Sequence, residues 1–461
     1  MVPGSSIARS LYVTAGASLL LFLTGFLIFR REIKKAAAFA TVALCSFFSY
    51  GLVYDLMEDI YYSGYFPLSH IHRYLMLSYL LLLIAAFLYI NKSSRKFINT
   101  TNALNTFTYI LLLFNLVILI SKSSSAHPGN ELLADSDTTA YTPPTGSDTL
   151  PDIYYIILDG YANDSILDTE FGYSGNSLTK LLEENGFNTA TKSRGNYLVT
   201  SESLGSSLNY TYLDSAFNIR NAHSIFKNRT CEYLKKKGYR IVHVRSGYSI
   251  TRENYYADTV LMIQNLNEFE RTLLRYTIFR LDDLTGYVHY LTLKEQLSAI
   301  RSIPKSRSPK FTFIHIVSPH PPYTCNEKGE YRRARIINTW WETREEYLGQ
   351  LKFINTQIES FVKNILSNSK IPPIIVLQSD HGPWIKDPSL NKVYEARSLI
   401  LNSYHIPYAW KSKIYPTITP VNSFPLIFNN LFHDSIPVLP DIPMDSTGLK
   451  RYTQARAMMK G

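Results

Sequence analysis

Two short segments, far apart in the chain, each combine a run of apolar residues with an acidic group at its end. They are Pro151–Gly160 (PDIYYIILDG) and Pro373–Gly382 (PIIVLQSDHG). Such runs are typical of strands buried on both faces, and ligands of open α/β sheets bind beyond the carboxyl ends of these strands. Carboxylates with an imidazole suit divalent cations. Asp159, Asp380 and His381 are therefore predicted to form one metal site.

A hydroxyl that could act as a nucleophile lies in the segment Asn196–Asn209 (NYLVTSESLGSSLN). The pattern predicts a loop entering a helix, with Thr200 near the first turn and so at the positive end of the helix. A cation touching this hydroxyl would lower its pKa, and the alkoxide could attack phosphorus or sulfur. The alternative is that Thr200 or Ser201 only caps the helix.

Two histidines lie close to another predicted strand end: His315 within the strand and His320 in the loop Ser318–Tyr323 (SPHPPY). Taken singly, each is better explained as a structural histidine. The two acidic segments have a similar alternative, a surface turn or a bend before a glycine. The functional interpretation is favoured because two acids, imidazoles and a hydroxyl all fall at strand ends or helix starts of one domain.

Helical and strand patterns alternate around these groups. The predicted elements after the first strand are a helix at Ser177–Gly186, a helix near Ile225–Lys237, a strand at Tyr239–Val244, a strand at Lys310–Val317 and a helix whose apolar face runs from Leu351 to Ile365. This alternation indicates an α/β fold with a mostly parallel central sheet flanked by helices.

The first 120 residues have a different composition. The chain has 461 residues and a formal net charge of +10, but its long uncharged apolar stretches are confined to this part. A helix needs about 20 apolar residues to cross a bilayer. Four transmembrane helices are predicted, at 11–29, 36–54, 75–90 and 103–120, ahead of a soluble half.

The loops between these helices predict their orientation, because short cytoplasmic loops are rich in Lys and Arg. The basic residues of the first and third loops are Arg30, Arg31, Lys34, Lys35, Lys92, Arg95 and Lys96. The second loop is acidic at Asp55, Glu58 and Asp59. We therefore predict a multi-pass protein of the cell membrane with an extracytoplasmic catalytic domain. Membrane lipids are expected partners, nucleic acid is not, and the oligomeric state stays open.

The soluble half divides into three predicted parts. Residues 121–150 are a polar, flexible extracytoplasmic linker, 151–441 form the catalytic domain, and 442–461 form a basic C-terminal tail. Cys231 and Cys325 could pair in an oxidising compartment, but nothing in the sequence forces this disulfide. Their isolation excludes a cysteine-based zinc site.

The order of these motifs resembles the sulfatase branch of the alkaline phosphatase superfamily over about residues 151–440. The motifs are Asp159-Gly160, Asn-Tyr-x-x-Thr200, Ser-Ser-Leu-Asn209, Ser-Pro-His320-Pro-Pro and Ser-Asp380-His381-Gly382. The last is the most specific of them. The polytopic layout resembles lipoteichoic acid synthases and lipid A phosphoethanolamine transferases, which join membrane helices to an extracytoplasmic catalytic domain.

The resemblance implies a set of roles for the candidate residues. One divalent ion, manganese, zinc or magnesium, would be bound by Asp159, Thr200, Asp380 and His381. Thr200 would also be the covalent nucleophile. His320, and as a second candidate His315, would contact the transferred group or protonate the leaving oxygen.

One departure from the family concerns the sulfatase nucleophile. True sulfatases use a formylglycine made from Cys or Ser within Cys/Ser-x-Pro-x-Arg, and neither Cys231 nor Cys325 has that context. The expected function is therefore a phosphotransferase or phosphodiesterase acting on lipid head groups or cell-envelope glycans. The alternatives are a sulfuric ester hydrolase, or a non-catalytic membrane scaffold or glycan-binding protein that retains the fold. A transporter is disfavoured, since four short spans offer poor material for a translocation path.

Overall fold

The chain divides into two compact units. One comprises Met1–Tyr141 with Asn265–Leu281, and the other Thr142–Gln264 with Asp282–Gly461. The computed structural model describes residues 4–62, 71–93, 150–213, 224–261, 273–274, 276–278, 286–333, 344–383 and 393–442.

The first unit contains three long apolar helices: α1 (Gly4–Ile28), α2 (Ile33–Tyr62) and α3 (Ile71–Lys92). Each is long and apolar enough to cross a membrane, over Arg9–Ile28, Ile33–Tyr54 and Tyr74–Lys92. Their exposed surfaces are rich in Leu. These three helices fit a membrane anchor and overlap the first three predicted spans. The fourth, at 103–120, lies outside the described residues, as do the linker up to residue 149 and the tail from residue 443.

A short piece of the second half of the sequence packs within this helical unit. The Gly51 N–H of α2 donates a hydrogen bond to the Tyr276 carbonyl oxygen at 3.0 Å. Ile278 packs on a small buried cluster formed by Tyr50, Tyr54 and Leu75. The local sequence patterns gave no sign of this return.

The second unit is built on one seven-stranded sheet. Its strands are β1 (Ile153–Leu158), β2 (Phe187–Thr189), β3 (Arg240–Val244), β4 (Thr259–Leu261), β5 (Lys310–Ile316), β6 (Ile374–Gln378) and β7 (Asn402–His405). Their order is β2-β7-β6-β1-β5-β3-β4. Neighbours from β6 to β4 are parallel, whereas β7 is antiparallel to both β6 and β2. The predicted mostly parallel α/β sheet is confirmed.

Helices cover both faces of this sheet. They are α4 (Asp164–Phe171), α5 (Ser177–Glu184), α6 (Thr200–Asn209), α7 (Arg229–Lys236), α8 (Tyr287–Ala299), α9 (Arg344–Asn368), α10 (Val393–Ser398) and α11 (Ser423–Leu431). Every residue of β1 is buried. Alternate residues of β1 enter two different cores: Tyr154 packs with α9 on one face, and Tyr155 packs with α6 and α11 on the other. This double burial explains why the strand sequence is continuously apolar.

The start of α7 shows where local chemistry sets an element boundary. The periodicity predicts a helix from Ile225, but the regular helix begins at Arg229. The Asn228 side chain accepts a hydrogen bond from the Cys231 N–H at 2.8 Å and so caps the first turn. Residues 224–226 are also helical, and a break at 227–228 separates them from α7. An apolar pattern cannot register the capping residue that follows this break, so the prediction joined two helical segments into one.

Candidate active site

The acidic segments meet at the carboxyl edge of the central strands. β1 and β6 are adjacent and parallel, with Ile157 opposite Gln378, so the residues that follow each strand lie side by side. Asp159, Asp380 and His381 offer ligand atoms that all lie within 4.8 Å of one another. Each of the three is at most 2% exposed. The alternative of a surface turn is therefore wrong.

The hydrogen bonds of the two carboxylates leave one oxygen of each without a donor. Asp380 Oδ1 accepts from the Gly160 N–H at 3.2 Å and from the His381 N–H at 2.9 Å. Asp380 Oδ2 and Asp159 Oδ1 are buried and accept no hydrogen bond from any described residue. His381 Nε2 lies 3.3 Å from Asp380 Oδ2 and 3.6 Å from Asp159 Oδ1. Because buried carboxylate oxygens need a partner, this donor set fits a divalent cation.

The electrostatics keep these groups in the protonation states that a cation requires. Burial, together with the Arg397 guanidinium, outweighs the nearby carboxylates and lowers the pKa of His381 to about 4, so its imidazole is neutral near pH 7. Burial alone would raise the pKa of Asp159. The neighbouring imidazoles, His320 first, nevertheless hold that pKa well below its usual range. A neutral imidazole beside an ionised carboxylate is a ligand pair ready for metal.

Thr200 directs its hydroxyl at this cluster. It is the first residue of α6, and the residue before it, Val199, makes no side-chain capping bond. Thr200 Oγ1 lies 3.2 Å from His381 Nε2, while the Ser201 hydroxyl donates to the carboxylate of Glu202. The alternative that Thr200 or Ser201 only caps the helix is not what the structure shows. The hydroxyl lies where a nucleophile would meet the candidate ligands.

A second hydroxyl ties α6 to the same edge of the sheet. Ser203 Oγ donates to the backbone carbonyl oxygen of Asp380 at 2.6 Å, one helical turn beyond Thr200. Ser203 is buried. This bond fixes the helix that carries the hydroxyl to the turn that carries two of the candidate ligands. Sequence reasoning did not single out Ser203, since any serine on this face of the helix would look the same.

His315 lies behind Asp159 on the neighbouring strand, β5. It is buried, its Nδ1 lies 2.7 Å from the Thr251 hydroxyl, and its Nε2 lies 3.4 Å from Asp159 Oδ2. His315 Nε2 makes no hydrogen bond with a described residue, so its contact with Asp159 is one of proximity only. His315 is buried, and this leaves it poorly exposed to a substrate.

His320 occupies the proline-rich loop that follows β5. Its Nδ1 lies 2.6 Å from the Pro321 carbonyl oxygen, so Nδ1 carries the proton of that hydrogen bond and Nε2 is left as the reactive nitrogen. The ring centroid lies 6.2 Å from that of His381. Gly160 has a φ of +72°, and an added Cβ there would lie 3.5 Å from the His320 backbone. That distance is ordinary van der Waals contact, so the positive φ of Gly160, and not the nearness of the loop, is what favours glycine at this position.

Arg397 is a site residue that sequence reasoning missed. Its Nη2 lies 3.0 Å from His381 Nε2. Site residues were predicted only where parallel strands end. Arg397 instead precedes the strand β7, which is antiparallel to β6. The start of an antiparallel strand lies at the same edge as the end of its neighbour. A prediction that β7 runs antiparallel to β6 would have placed Arg397 at the edge of the sheet that holds the candidate ligands.

The two cysteines of the catalytic unit lie in separate buried places and form no disulfide. Cys231 belongs to α7, where its sulfur accepts from the Asn254 side chain, and the Cys325 thiol donates to Gln350. Burial raises the pKa of the two thiols to about 11 and about 12. Both are therefore poor nucleophiles.

Three solved structures align with about two thirds of this chain. The C-terminal periplasmic domain of EptC from Escherichia coli, in complex with Zn, is 11% identical, with a TM-score of 0.40 over 61% of this chain and 81% of that one. The phosphonate monoester hydrolase of Agrobacterium radiobacter is 13% identical, with a TM-score of 0.41 over 61% and 74%. An alkaline phosphatase superfamily protein from Vibrio parahaemolyticus is 14% identical, with a TM-score of 0.39 over 68% and 74%.

The family assignment rests on sequence, because these structural similarities are low. No curated protein sequence matches the chain. The sulfatase family model, however, matches residues 137–433, which is more than half of the chain and contains every residue of the candidate site. The match supports an ester hydrolase or transferase. The chain belongs to the sulfatase family.

Proposed function

We propose that this protein is a membrane-anchored, metal-dependent enzyme that transfers or hydrolyses phosphodiesters with Thr200 as its nucleophile. The observation that supports this most strongly is the position of the Thr200 hydroxyl, 3.2 Å from His381 Nε2. It adjoins two buried carboxylates, each with an oxygen that has no hydrogen-bond donor among the described residues. A structural cluster would satisfy those oxygens.

The residues that would hold the ion are those whose donor atoms converge. They are Asp159, Asp380 and His381, with the Thr200 hydroxyl as a fourth ligand. A bound divalent cation would neutralise charge on an anionic ester and lower the pKa of the hydroxyl. The mixed oxygen and nitrogen donors suit manganese, zinc or magnesium.

The reaction we propose has two steps. In the first, Thr200 Oγ1, its proton lost to solvent, attacks phosphorus in line. A bond from Oγ1 to phosphorus forms and the bond to the leaving alcohol breaks. His320 starts this step protonated on both ring nitrogens and donates its Nε2 proton to that alcohol. In the second, a glycan or lipid hydroxyl, or water, attacks the phosphothreonine while His320 accepts its proton. The bond from phosphorus to Oγ1 breaks and Thr200 takes a proton back from solvent. The acceptor decides between transfer and hydrolysis.

Membrane anchorage favours a lipid on at least one side of this reaction. The described helices α1 to α3 are apolar enough to span a bilayer. The short connection between α1 and α2 carries Arg30 and Arg31, a pattern typical of the cytoplasmic side. We therefore propose an extracytoplasmic catalytic unit acting on lipid head groups or cell-envelope glycans. Membrane lipids are the partners this placement favours.

Sulfate esters remain the second substrate class because of the family to which the chain belongs. Neither cysteine lies in the formylglycine sequence context, and both thiols are buried. Hydrolysis through formylglycine is therefore disfavoured. A sulfate ester would have to use the same threonine route.

The test of this function is a search for the covalent intermediate. The full chain, purified in detergent with Mn²⁺, is incubated with a phospholipid mixture, a chromogenic phosphodiester or an aryl sulfate, and its intact mass is measured. We expect a phosphoryl-type adduct that maps by peptide to Thr200. Thr200→Ala should form no adduct and lose turnover by about 10³-fold or more, whereas Thr200→Ser should retain part of it. A folded, metal-bound protein with no adduct and no turnover on any of these esters would instead support a binding protein.

A further inference from the structure

Arg397 brings a guanidinium into the cluster of candidate ligands. It lies in the last turn of α10 and reaches acceptors on two loops. Nε lies 3.0 Å from the Leu198 carbonyl oxygen, Nη1 lies 3.1 Å from that of Gly382, and Nη2 lies 3.0 Å from His381 Nε2. The two carbonyl bonds fix the plane of the guanidinium between the loop before Thr200 and the loop after β6.

The tautomer of His381 follows from its own contacts. His381 Nδ1 lies 3.0 Å from the Gly382 carbonyl oxygen, which can only accept a hydrogen bond. Nδ1 therefore carries the hydrogen, and Nε2 carries the lone pair. That lone pair is the atom directed at the two carboxylates. The Arg397 Nη2 group donates to it.

A single lone pair cannot serve a guanidinium and a cation together. A divalent ion bound at His381 Nε2 would release the Nη2 donor of Arg397, while the two carbonyl bonds would still hold the guanidinium beside Thr200. A cation and a guanidinium at this separation repel each other unless an anion lies between them. The planar, always charged guanidinium matches the oxygens of phosphate or sulfate.

We propose that Arg397 is the anion-binding residue of this site. Without a metal, Arg397 Nη2 donates a hydrogen bond to His381 Nε2. When a cation binds that nitrogen, the same N–H of Arg397 donates instead to the phosphoryl or sulfuryl group beside Thr200. Arg397 thus opposes the binding of the metal by itself and favours the binding of metal and anion together. This role rests on the proposed function for its biological meaning, but binding alone tests it.

A purely structural role makes a different prediction. If Arg397 only tied Leu198 to Gly382, its loss would loosen both loops and weaken metal and anion binding together. An anion-binding role weakens phosphate binding while metal affinity stays the same or rises. A fall in metal affinity therefore separates the structural role from the anion-binding role.

The experiment uses the full chain in detergent and compares Arg397→Gln, Arg397→Lys and Arg194→Gln. Arg194 is the matched control because it is a second arginine that binds this part of the chain: its Nη1 donates to the hydroxyl of Ser398, the residue next to Arg397. Calorimetry measures Mn²⁺ affinity without phosphate and then the affinity for inorganic phosphate at saturating Mn²⁺. Thermal unfolding of each variant checks that the fold is retained.

We expect Arg397→Gln to bind Mn²⁺ as tightly as the wild type or up to about tenfold more tightly, and phosphate about tenfold or more weakly. Arg397→Lys should lose less phosphate affinity, because it keeps the charge but not the fork of donors. Arg194→Gln should match the wild type in both. Unchanged phosphate affinity in Arg397→Gln, or weaker binding of both Mn²⁺ and phosphate, would overturn the assignment.

Failure of this inference can be distinguished from failure of the proposed function. A wild type that binds Mn²⁺ and phosphate but turns over no ester would contradict the function, while the ratio of affinities in Arg397→Gln would still decide the role of the arginine. A wild type that turns over phosphodiesters with unchanged phosphate affinity in Arg397→Gln would keep the function and reject the role. A folded wild type that binds no Mn²⁺ would overturn both.

Discussion

Two buried aspartates stand at opposite ends of strand β1, and only one has its hydrogen-bonding capacity filled. Asp152, at the start, accepts from the Lys310 ammonium at 2.6 Å, from the Lys310 N–H at 3.0 Å and from the Ser308 hydroxyl at 3.0 Å. Asp159, at the other end, has one oxygen with no donor among the described residues. Both are at most 4% exposed.

The difference separates a structural acid, Asp152, from a candidate metal ligand, Asp159. Both aspartates face the same neighbouring strand, which offers Lys310 to Asp152 and His315 to Asp159. When the chain provides all the donors of a buried carboxylate, they offset the cost of removing the charge from water, and loss of one partner is strongly destabilising. A buried carboxylate oxygen that has no hydrogen-bond donor destabilises the fold unless a bound ion or ligand takes the place of that donor. Burial alone does not tell the two apart, but the hydrogen-bond inventory does.

The largest effect on stability is expected at Asp152, the aspartate at the start of β1 whose hydrogen bonds are all made. Asp152→Asn leaves the fully buried Lys310 ammonium without its counter-charge, so the free energy of unfolding should fall by about 3–5 kcal/mol. Denaturant unfolding of the full chain in detergent measures this. Mn²⁺ affinity of the folded variant should stay at the wild-type value. If Asp152→Asn were as stable as the wild type, the claim that Asp152 has a structural role would be contradicted.

A buried nitrogen on β3 tests whether a missing partner is by itself a sign of function. His243 Nδ1 is buried with no partner among the described residues, and Nε2 donates to the Arg252 carbonyl oxygen. Burial lowers the pKa of His243 from 6.5 to about 4. The unfolded chain therefore binds the extra proton between pH 6.5 and 4, and stability should fall as pH falls through that window.

The variant His243→Gln should flatten this pH dependence by on the order of 2–3 kcal/mol while leaving Mn²⁺ affinity at pH 7.5 unchanged. Unfolding midpoints at pH 7.5, 6, 5 and 4 would show it. Loss of metal binding in His243→Gln would mean that His243, whose Nδ1 has no partner among the described residues, belongs to the metal site.

A smaller effect should separate two serines of α6. Ser203 Oγ donates to the Asp380 carbonyl oxygen, whereas Ser206 Oγ, on the next turn, donates to that of Thr211 at 2.7 Å. Both serines are buried. Each substitution by alanine should cost about 1 kcal/mol of stability, since each removes one hydrogen bond.

Only Ser203→Ala should also slow turnover, by about tenfold, because its bond fixes the helix that carries Thr200 to the candidate ligands. Steady-state kinetics on a chromogenic phosphodiester, with unfolding measured in parallel, makes the comparison. Equal kcat values in the two variants would show that the Ser203 bond does not position Thr200.

Much of this arrangement could be predicted from the sequence, because it depends on periodicity and on strand ends. The apolar runs before Asp159 and Asp380 are buried on both faces, and that pattern predicted two buried parallel strands. Thr200 could be placed at a helix start because the loop pattern changes there. Parallel strands share an edge, so the convergence of these three residues followed from the fold class.

What the sequence could not supply depends on pairing partners and on contacts distant in the chain. Asp152 and Asp159 look alike in sequence, and only the position of Lys310 shows that one is filled. Arg397 reaches His381 because an antiparallel strand reverses the chain, and no periodicity encodes that direction. Likewise, nothing local indicates that Tyr276 returns to the helical unit.

The most direct test of the central claim is a Mn²⁺ titration of the full chain, comparing the wild type with Asp159→Asn and Asp152→Asn. Asp159, the aspartate with an oxygen that has no hydrogen-bond donor, should be the metal ligand. The wild type should therefore bind one ion. Asp159→Asn should lose affinity by about 100-fold or more without losing stability in metal-free buffer, and Asp152→Asn should bind normally while it remains folded. Wild-type affinity in Asp159→Asn, or no binding by the folded wild type, would contradict the account.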